Sequence, residues 1–363
     1  MTQVKEGCGR CQTLPAPPEG PGRLFLWPPL GHSLGKLVAH LRDSGGPYQL
    51  RPDAHCVVVG MGEGDLGRLS AQLPDVLTAE EVRGTRALFV PGDTEPGMAD
   101  FPRVDSLQRF TMLQQSGWLV DMLAESRLTT FFQPIVHAQD TSSIFAHEAL
   151  MRGRDRDGAL VSPARMLDTA READLLFQLD LAARTTTIRE AVRHQLRTHL
   201  FINFTPTAIY DPAYCLRSTV AAIREAGIPE EHVVFEIIES DRSANAEHLR
   251  AIVDFYRKAG FKVALDDLGA GYSSLNLLHQ LRPEFMKLDM ELVRGVHADP
   301  YKASIVQKLL EIARQLGIQT VAEGIETPEE LSWVRRHGVD FVQGYLIAKP
   351  AGAPAKATPR LND

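Results

Sequence analysis

The last two-thirds of the chain alternates between short runs of β-branched or aromatic residues and stretches with apolar residues at helical spacing. This alternation is typical of repeated βα units, in which each strand is followed by a helix that covers it. Eight candidate strands lie near residues 129–136, 143–150, 199–204, 232–237, 261–266, 285–288, 318–322 and 340–343. The pattern therefore predicts an α/β fold with a closed (β/α)8 TIM-like barrel.

Two stretches between these strands have apolar faces that repeat every three or four residues, as in an amphipathic helix. The faces are Leu249, Ile252, Val253 and Tyr256 in the first, and Ile305, Leu309, Ile312 and Leu316 in the second. Gly260 and Gly317 stand directly before the next candidate strands, where a left-handed C-terminal cap is favourable. Both segments are predicted to be helices that end at these glycines.

The first third of the chain has a weaker pattern. Segments 14–23 and 91–102 are rich in Pro and Gly, which break regular structure. Between them, residues 34–41 resemble a helix, and residues 56–59 and 87–90 resemble strands. We predict a small α+β module over residues 1–105, a linker helix over 106–126 and the barrel over 127–355. From the domain order alone, the module is predicted to be a sensory or partner-binding input.

Composition and charge restrict the classes of partner. The chain has 363 residues, of which 44% are hydrophobic and 23% charged, as in an ordinary globular protein. Its net charge of -7 argues against a DNA partner, because DNA phosphates would be repelled. No apolar run approaches the roughly 18 residues that cross a bilayer, and the first residues are polar. The sequence therefore predicts a cytoplasmic protein without membrane insertion.

The four cysteines are too few and too scattered for a disulfide framework. They are Cys8, Cys11, Cys56 and Cys215. Cys8 and Cys11 have the spacing of a zinc or redox pair, but one pair is only half of a tetrahedral zinc site. The candidates that could complete the site are Cys56 with His55, His32 and His40. A Zn²⁺ site, an unliganded terminus and a redox pair remain open.

Polar residues stand at the C-terminal ends of seven of the eight candidate strands. They are Glu148, Asn203, Glu236, Asp266, Asp267, Lys287, Glu323 and Gln343. A single strand-end acid could be solvated or cap a helix, but strand ends of a barrel converge on one rim. Converging carboxylates raise each other's pKa unless cations occupy the site, and hard oxygen ligands select Mg²⁺ or Mn²⁺. The adjacent pair Asp266 and Asp267 suits two cations, since one carboxylate can bridge them, and phosphoester hydrolysis is the predicted chemistry.

Eight short strings in order resemble the EAL-domain cyclic di-GMP phosphodiesterases. They are QPIV (133–136), EALMR (148–152), IN (202–203), EIIE (236–239), DDLGAGYSSL (266–275), KLD (287–289), AEGIE (322–326) and QGY (343–345). The resemblance covers residues 120–352 and implies hydrolysis of cyclic di-GMP to linear pGpG with two Mg²⁺ or Mn²⁺ ions. The alternative is a catalytically inactive cyclic di-GMP receptor, although the EAL and DD strings are intact.

The resemblance also implies roles for individual residues. The implied metal ligands are Glu148, Asn203, Glu236, Asp266, Asp267 and Glu323. Catalytic roles are implied for Lys287, which would position water, for Glu323 as proton acceptor, and for Glu239, which would hold the following loop. The implied substrate contacts are Gln133, Leu150, Arg152, Asp289, Glu326 and Gln343.

The glycine-rich stretch after the metal-binding pair is implied to be a regulatory loop near a homodimer contact. Its residues of interest are Gly269, Gly271, Tyr272 and Ser273. A plain turn between strand and helix is the alternative interpretation. Three positions depart from the common pattern of the family: Ile238 replaces a usual Thr, and Leu268 and Ala270 replace Phe and Thr. None of the three is a proposed metal ligand.

Overall fold

The computed structural model describes residues 14–15, 17–238, 246–268 and 274–361. These residues divide into two compact units. The N-terminal unit comprises Leu14–Glu125 with Ala164–Leu176, and the barrel unit comprises Ser126–Pro163 with the chain from Phe177 onward. In the described part of the chain, no helix has the length and apolar character required to cross a membrane.

The N-terminal unit is a five-stranded antiparallel sheet with helices. Its elements are β1 (Gly22–Trp27), α1 (Gly31–Asp43), β2 (Tyr48–Arg51), β3 (Cys56–Met61), α2 (Asp65–Val76), α3 (Ala79–Gly84), β4 (Arg86–Pro91), β5 (Asp105–Ser106), α4 (Leu107–Gln115), α5 (Gly117–Ala124) and α6 (Pro163–Glu172). The strand order is β2-β3-β1-β4-β5. Leu24 and Leu26 pack with Leu37 of α1 and Leu73 of α2, whereas Phe25 belongs to a second cluster on the opposite face, as strand alternation requires.

The segment predicted as one linker helix contains two helices, α4 and α5, separated at Ser116. The Ser116 hydroxyl donates a hydrogen bond to the Leu113 carbonyl at 2.9 Å, and Gly117 follows. A hydroxyl bonded back to the preceding turn and a glycine both weaken a continuing helix. Leu107 and Phe110 of α4 are part of the apolar core of the N-terminal unit.

The barrel unit is a closed ring of eight strands with helices between them, which confirms the predicted eight-strand barrel. Its elements are β6 (Leu128–His137), β7 (Ile144–Arg154), β8 (Leu160–Val161), α7 (Leu176–Arg193), β9 (His199–Phe204), α8 (Pro212–Cys215), α9 (Arg217–Glu225), β10 (Val233–Ile238), α10 (Ala246–Lys258), β11 (Lys262–Leu268), α11 (Ser274–Leu281), β12 (Phe285–Leu288), α12 (Met290–Val293), α13 (Pro300–Leu316), β13 (Gln319–Ala322), α14 (Pro328–Arg336) and β14 (Phe341–Val342). The ring order is β6-β14-β13-β12-β11-β10-β9-β7, and β7 pairs with β6 to close it.

The first strand of the ring departs from the all-parallel (β/α)8 arrangement. β6 is antiparallel to both neighbours, β7 and β14, whereas the other neighbouring pairs of the ring are parallel. Residues 138–143 connect β6 to β7, and this connection is too short for the crossover that parallel neighbours need. The short β8 extends β7 outside the ring as an antiparallel partner.

The helices pack on the ring through their apolar faces. The predicted face of α10 is correct, since Leu249, Ile252, Val253 and Tyr256 are all buried. The predicted face of α13 is wrong in part, because Ile305 is 50% exposed and Leu316 61% exposed. The residues of α13 that are buried are Val306, Leu309, Leu310 and Ala313. This stripe, one position further round the helix, packs in the same core cluster as the strand residues Met286 and Leu288.

Candidate functional site

A buried ammonium group marks the centre of the site. Lys287 of β12 is 1% exposed, and its Nζ lies 2.6 Å from a carboxylate oxygen of Glu236 and 2.6 Å from one of Glu323. Asp266 lies 3.1 Å and Glu148 3.7 Å from the same nitrogen. One lysine therefore holds together four acids that come from four different strands or strand ends.

Strand alternation and register explain why these side chains meet inside the ring. Phe235 stacks on Tyr256 of α10 with the ring centroids 3.8 Å apart, so the next side chain, Glu236, points to the opposite face, into the barrel. The parallel register of β9 and β10 places Asn203 beside Glu236. In a barrel of eight strands, side chains fill the interior, and at the C-terminal ends of these strands the interior side chains are charged.

An irregularity in β11 brings the side chains of Asp266 and Asp267 to the same side of the strand. The register between β11 and β12 shifts between Leu265 and Leu268, and Asp267 has a positive φ of 55°. A regular strand would send adjacent side chains to opposite faces, but at this bulge both aspartates line the same cavity. The Asp267 backbone N–H donates to the Asp266 carboxylate at 2.9 Å, which supports the unusual conformation.

Two amide side chains orient the carboxylate of Glu148. Gln343 Nε2 donates to Glu148 Oε2 at 2.7 Å and to Gln133 Oε1 at 3.0 Å. Asn203 Nδ2 donates to the other oxygen, Glu148 Oε1, at 3.1 Å. Glu148 is therefore held in place by neutral donors, with its carboxylate 3.7 Å from the Lys287 ammonium.

The electrostatics of the site favour cation binding. Burial, reinforced by the charges of Asp266 and Glu148, raises the pKa of Glu323 to about 8. Burial and the neighbouring Asp266 raise the pKa of Asp267 to about 6, and burial raises the pKa of Glu236 well above its ordinary value. For Lys287, burial opposes the charged form, but the surrounding acids prevail and raise its pKa well above the ordinary value. Lys287 therefore stays charged, but its single positive charge is not sufficient to balance the surrounding acids.

The residues fit a divalent metal centre. Two groups of acids offer ligand oxygens within 4.8 Å of one another: Glu148, Glu236 and Asp266 form one, and Asp266, Asp267 and Glu323 form the other. Lys287 Nζ lies 2.6 Å from Oε1 of the fully buried Glu236, and the other carboxylate oxygen, Oε2, has no hydrogen-bond partner among the described residues. If all five carboxyl groups ionised, they would exceed the one ammonium by four negative charges, which two divalent cations would balance.

A cavity of about 400 Å³ opens above these charges. Four of the predicted substrate contacts line it, namely Gln133, Asp289, Glu326 and Gln343. The other two, Leu150 and Arg152, do not, although they follow Glu148 on the same face of β7. The Arg152 guanidinium instead donates to the Met151 carbonyl at 2.8 Å and lies 5.4 Å from the Phe131 ring centroid.

The cavity also contains residues that were absent from the predicted site. They are Met290, Arg294, Gly324, Gly344 and Tyr345. A Cβ at Gly344 would lie 2.1 Å from the Ile325 carbonyl oxygen, and one at Gly324 would lie 2.4 Å from Met290 Cβ, so both positions exclude larger residues. Their place inside the AEGIE and QGY strings was a usable signal. Arg294, which forms an ion pair with Glu326, stands in no such string.

Several predicted residues lie outside the described ranges. They are Cys8, Cys11, Glu239, Gly269, Gly271, Tyr272 and Ser273. Cys56 is described and is buried on β3 as a free thiol. Among the described residues, it belongs to no group of three or more side chains that could hold a metal ion. The zinc site and the regulatory loop therefore remain predictions.

Comparisons with known proteins agree with this geometry. Residues 116–350 match the EAL domain family. The chain is 31% identical over 230 residues to PdeG of Escherichia coli K12, a probable cyclic di-GMP phosphodiesterase, which covers 61% of this chain and 44% of that protein. It is 28% identical over 243 residues to NbdA of Pseudomonas aeruginosa, a cyclic di-GMP phosphodiesterase, with 66% of this chain and 31% of that protein covered.

A solved structure shows the same fold. A standalone EAL protein from Vibrio cholerae O395, in a cyclic di-GMP bound form, is 36% identical with a TM-score of 0.57. The alignment covers 63% of this chain and 95% of that one. The chain thus matches nearly all of a standalone EAL protein but spans less than half the length of the two curated relatives.

Proposed function

The chain belongs to the EAL domain family, and from this premise we propose that it hydrolyses cyclic di-GMP to linear pGpG with two divalent cations. The observation that carries the proposal is the excess of acid around Lys287, where five carboxylates meet a single ammonium group. The two relatives described above carry names of cyclic di-GMP phosphodiesterases, which supports this substrate.

The two acid groups divide the metal ligands between them. Glu148, Asn203, Glu236 and Asp266 would hold one Mg²⁺ or Mn²⁺, and Asp266, Asp267 and Glu323 would hold the other. Asp266 belongs to both groups, so its carboxylate is suited to bridge two ions. When bound, the cations would polarise a phosphate oxygen and lower the pKa of the attacking water.

Lys287 and Glu323 supply the remaining charge and proton chemistry. Lys287 lines the cavity and remains an ammonium, so it can stabilise negative charge that develops on the phosphate. Glu323 lies 2.6 Å from that ammonium and also lines the cavity. When ionised, its carboxylate would be suited to accept the proton of the attacking water. Glu239 stays a predicted loop-holding residue.

Neutral and polar side chains of the cavity would orient the substrate. Gln133 and Gln343 are linked by a hydrogen bond of 3.0 Å and present amide groups beside the acids. Asp289 and Glu326 lie at the same cavity and would contact the nucleotide. Leu150 and Arg152 remain predicted substrate contacts. The homodimer and the cytoplasmic location also remain predictions.

The test is turnover of cyclic di-GMP by the purified chain. With Mn²⁺ or Mg²⁺ present, chromatography should show pGpG as the product, and EDTA should stop its formation. Glu148→Ala should lose turnover, because it removes a ligand that two amides hold in place, whereas the exposed Glu329→Ala should leave it unchanged. Binding of cyclic di-GMP without any product would favour the inactive receptor instead.

A further inference from the structure

A second cavity in the barrel unit shares no lining residue with the first. It has a volume of about 340 Å³ and lies between helices α10 and α11. Its polar lining consists of Arg250, Asp254, Arg257, His279, Gln280 and Arg282. The buried residues Val253 and Leu281 form the floor. Nothing in the proposed phosphodiesterase reaction uses this groove.

The groove is basic in a chain whose net charge is -7. Three arginines and a histidine face one acid, Asp254. Arg257 already has an acidic partner, because its Nε donates a hydrogen bond to the Glu284 carboxylate at 3.0 Å. The side chains of Arg250, His279 and Arg282 are exposed and form no ion pair or hydrogen bond with any residue in the described ranges. Two guanidinium groups, those of Arg250 and Arg282, therefore lie in one concave surface that has a single acid, Asp254, in its lining.

The backbone at Arg282 is adapted to this arrangement. Arg282 directly follows the last residue of α11 and has a φ of 46°, in the left-handed region where glycine is the usual residue. Its carbonyl accepts a hydrogen bond from the Arg257 guanidinium, which holds the turn in place. A large cationic residue in an unfavourable backbone conformation points to a role for its side chain.

We propose that this groove binds the polyphosphate group of a small molecule. Guanidinium groups present planar pairs of donors that match phosphate oxygens, and two of them suit a ligand with several negative charges. Val253 and Leu281 are almost fully buried and offer little apolar surface to a ligand. The ligand would therefore be bound mainly through contacts between its charged groups and the arginines. The volume is at the small end of ligand sites, which suits a diphosphate or triphosphate group.

Calorimetric titration of the full chain in EDTA tests this site separately from the acidic one, since no cation is then present to hold phosphate there. The probes are inorganic pyrophosphate, ATP and GTP. The double variant Arg250→Glu with Arg282→Glu should bind pyrophosphate at least tenfold more weakly than the wild type. The control is Lys258→Glu, which reverses an exposed charge on α10 outside the groove and should change affinity less than twofold.

Comparison of the three probes identifies the ligand class. Equal affinity for all three supports a free polyphosphate site, and tighter ATP or GTP binding supports a nucleotide site. Absence of binding by the wild type up to about 1 mM would overturn the proposal. Unchanged affinity in the neutral double variant Arg250→Gln with Arg282→Gln, checked for its native circular dichroism spectrum, would also overturn it.

Discussion

Two buried ionic clusters in the barrel unit differ in their balance of charge. In the first, the side chain of Arg184 is 0% exposed and that of Asp180 5% exposed, with Nε donating to the carboxylate at 2.9 Å. The other Asp180 oxygen accepts the Thr205 backbone N–H at 2.8 Å. In the second, the Lys287 ammonium lies among five acids. One cluster is neutral as a pair, and the other is strongly negative.

The difference separates a structural role from a functional one. The Asp180–Arg184 pair joins α7 to the chain just after β9, and each charge has a partner. Burying more acids than bases destabilises a fold, because a buried charge without a counter-charge is costly. On the proposed function, bound cations would balance the acids around Lys287. The same chemical change should therefore have opposite effects in the two clusters.

The largest effect is expected on catalysis. Asp266→Asn removes the carboxylate that belongs to both acid groups, so turnover of cyclic di-GMP should fall about 1,000-fold or more. Steady-state kinetics at saturating Mn²⁺ would measure this loss. The matched control is Asp180→Asn, which should keep most of its turnover at temperatures where it remains folded. Equal losses in the two variants would remove the distinction between the clusters.

The balanced cluster should dominate stability. Asp180→Asn leaves the Arg184 guanidinium buried without a counter-charge, so unfolding in urea should show a loss of about 3–5 kcal/mol. The double variant Asp180→Leu with Arg184→Met removes both charges and should be more stable than the single variant. If the double variant lost more than the single one, the stabilising role of charge balance would be wrong.

The unbalanced cluster should make stability depend on pH when no metal is bound. The folded pKa of Glu323, about 8, lies above its unfolded value near 4.3, so the folded state holds an extra proton up to about pH 8. Stability of the metal-free protein should therefore fall as pH rises from 6.5 to 8, by about 1–2 kcal/mol. Urea unfolding in EDTA measures it, and Glu323→Gln should abolish this fall. A wild-type stability that rises over this range relative to Glu323→Gln contradicts the assignment.

The smallest expected effect has the most distinctive sign. Glu236→Gln replaces a fully buried carboxyl group, whose burial opposes the charged form, with a neutral amide. The metal-free variant should be more stable than the wild type by about 0.5–2 kcal/mol while losing turnover, as in other trade-offs between stability and activity. Thermal melts in EDTA compare the two, and a destabilised variant would indicate that Glu236 is structural.

Strand positions and most residues of the candidate site could be predicted from the sequence because their signals are local. β-branched runs mark the strands, and the last polar residue of each run marks the rim, as at Glu236 and Lys287. The short connection after β6 also contained the information that this strand is antiparallel. Gly324 and Gly344 lay inside quoted strings without being assigned a role.

Other features depend on tertiary packing, which leaves no local signal. Both stripes of α13 have helical spacing, and only contact with the ring selects the one that contains Val306 and Leu310. The Asp180–Arg184 pair looks in sequence like an ordinary exposed i, i+4 pair of a helix. The bulge at Asp267, which brings two adjacent acids into one cavity, depends on the register between β11 and β12.

The measurement that tests the central claim most directly is the stoichiometry of Mn²⁺ binding by the purified, metal-stripped chain. Titration should give two ions per chain, accompanied by a rise in melting temperature, and Asp266→Asn should lose at least one of them. Binding of no Mn²⁺ by the wild type, or binding of two ions unchanged in Asp266→Asn, would contradict the account.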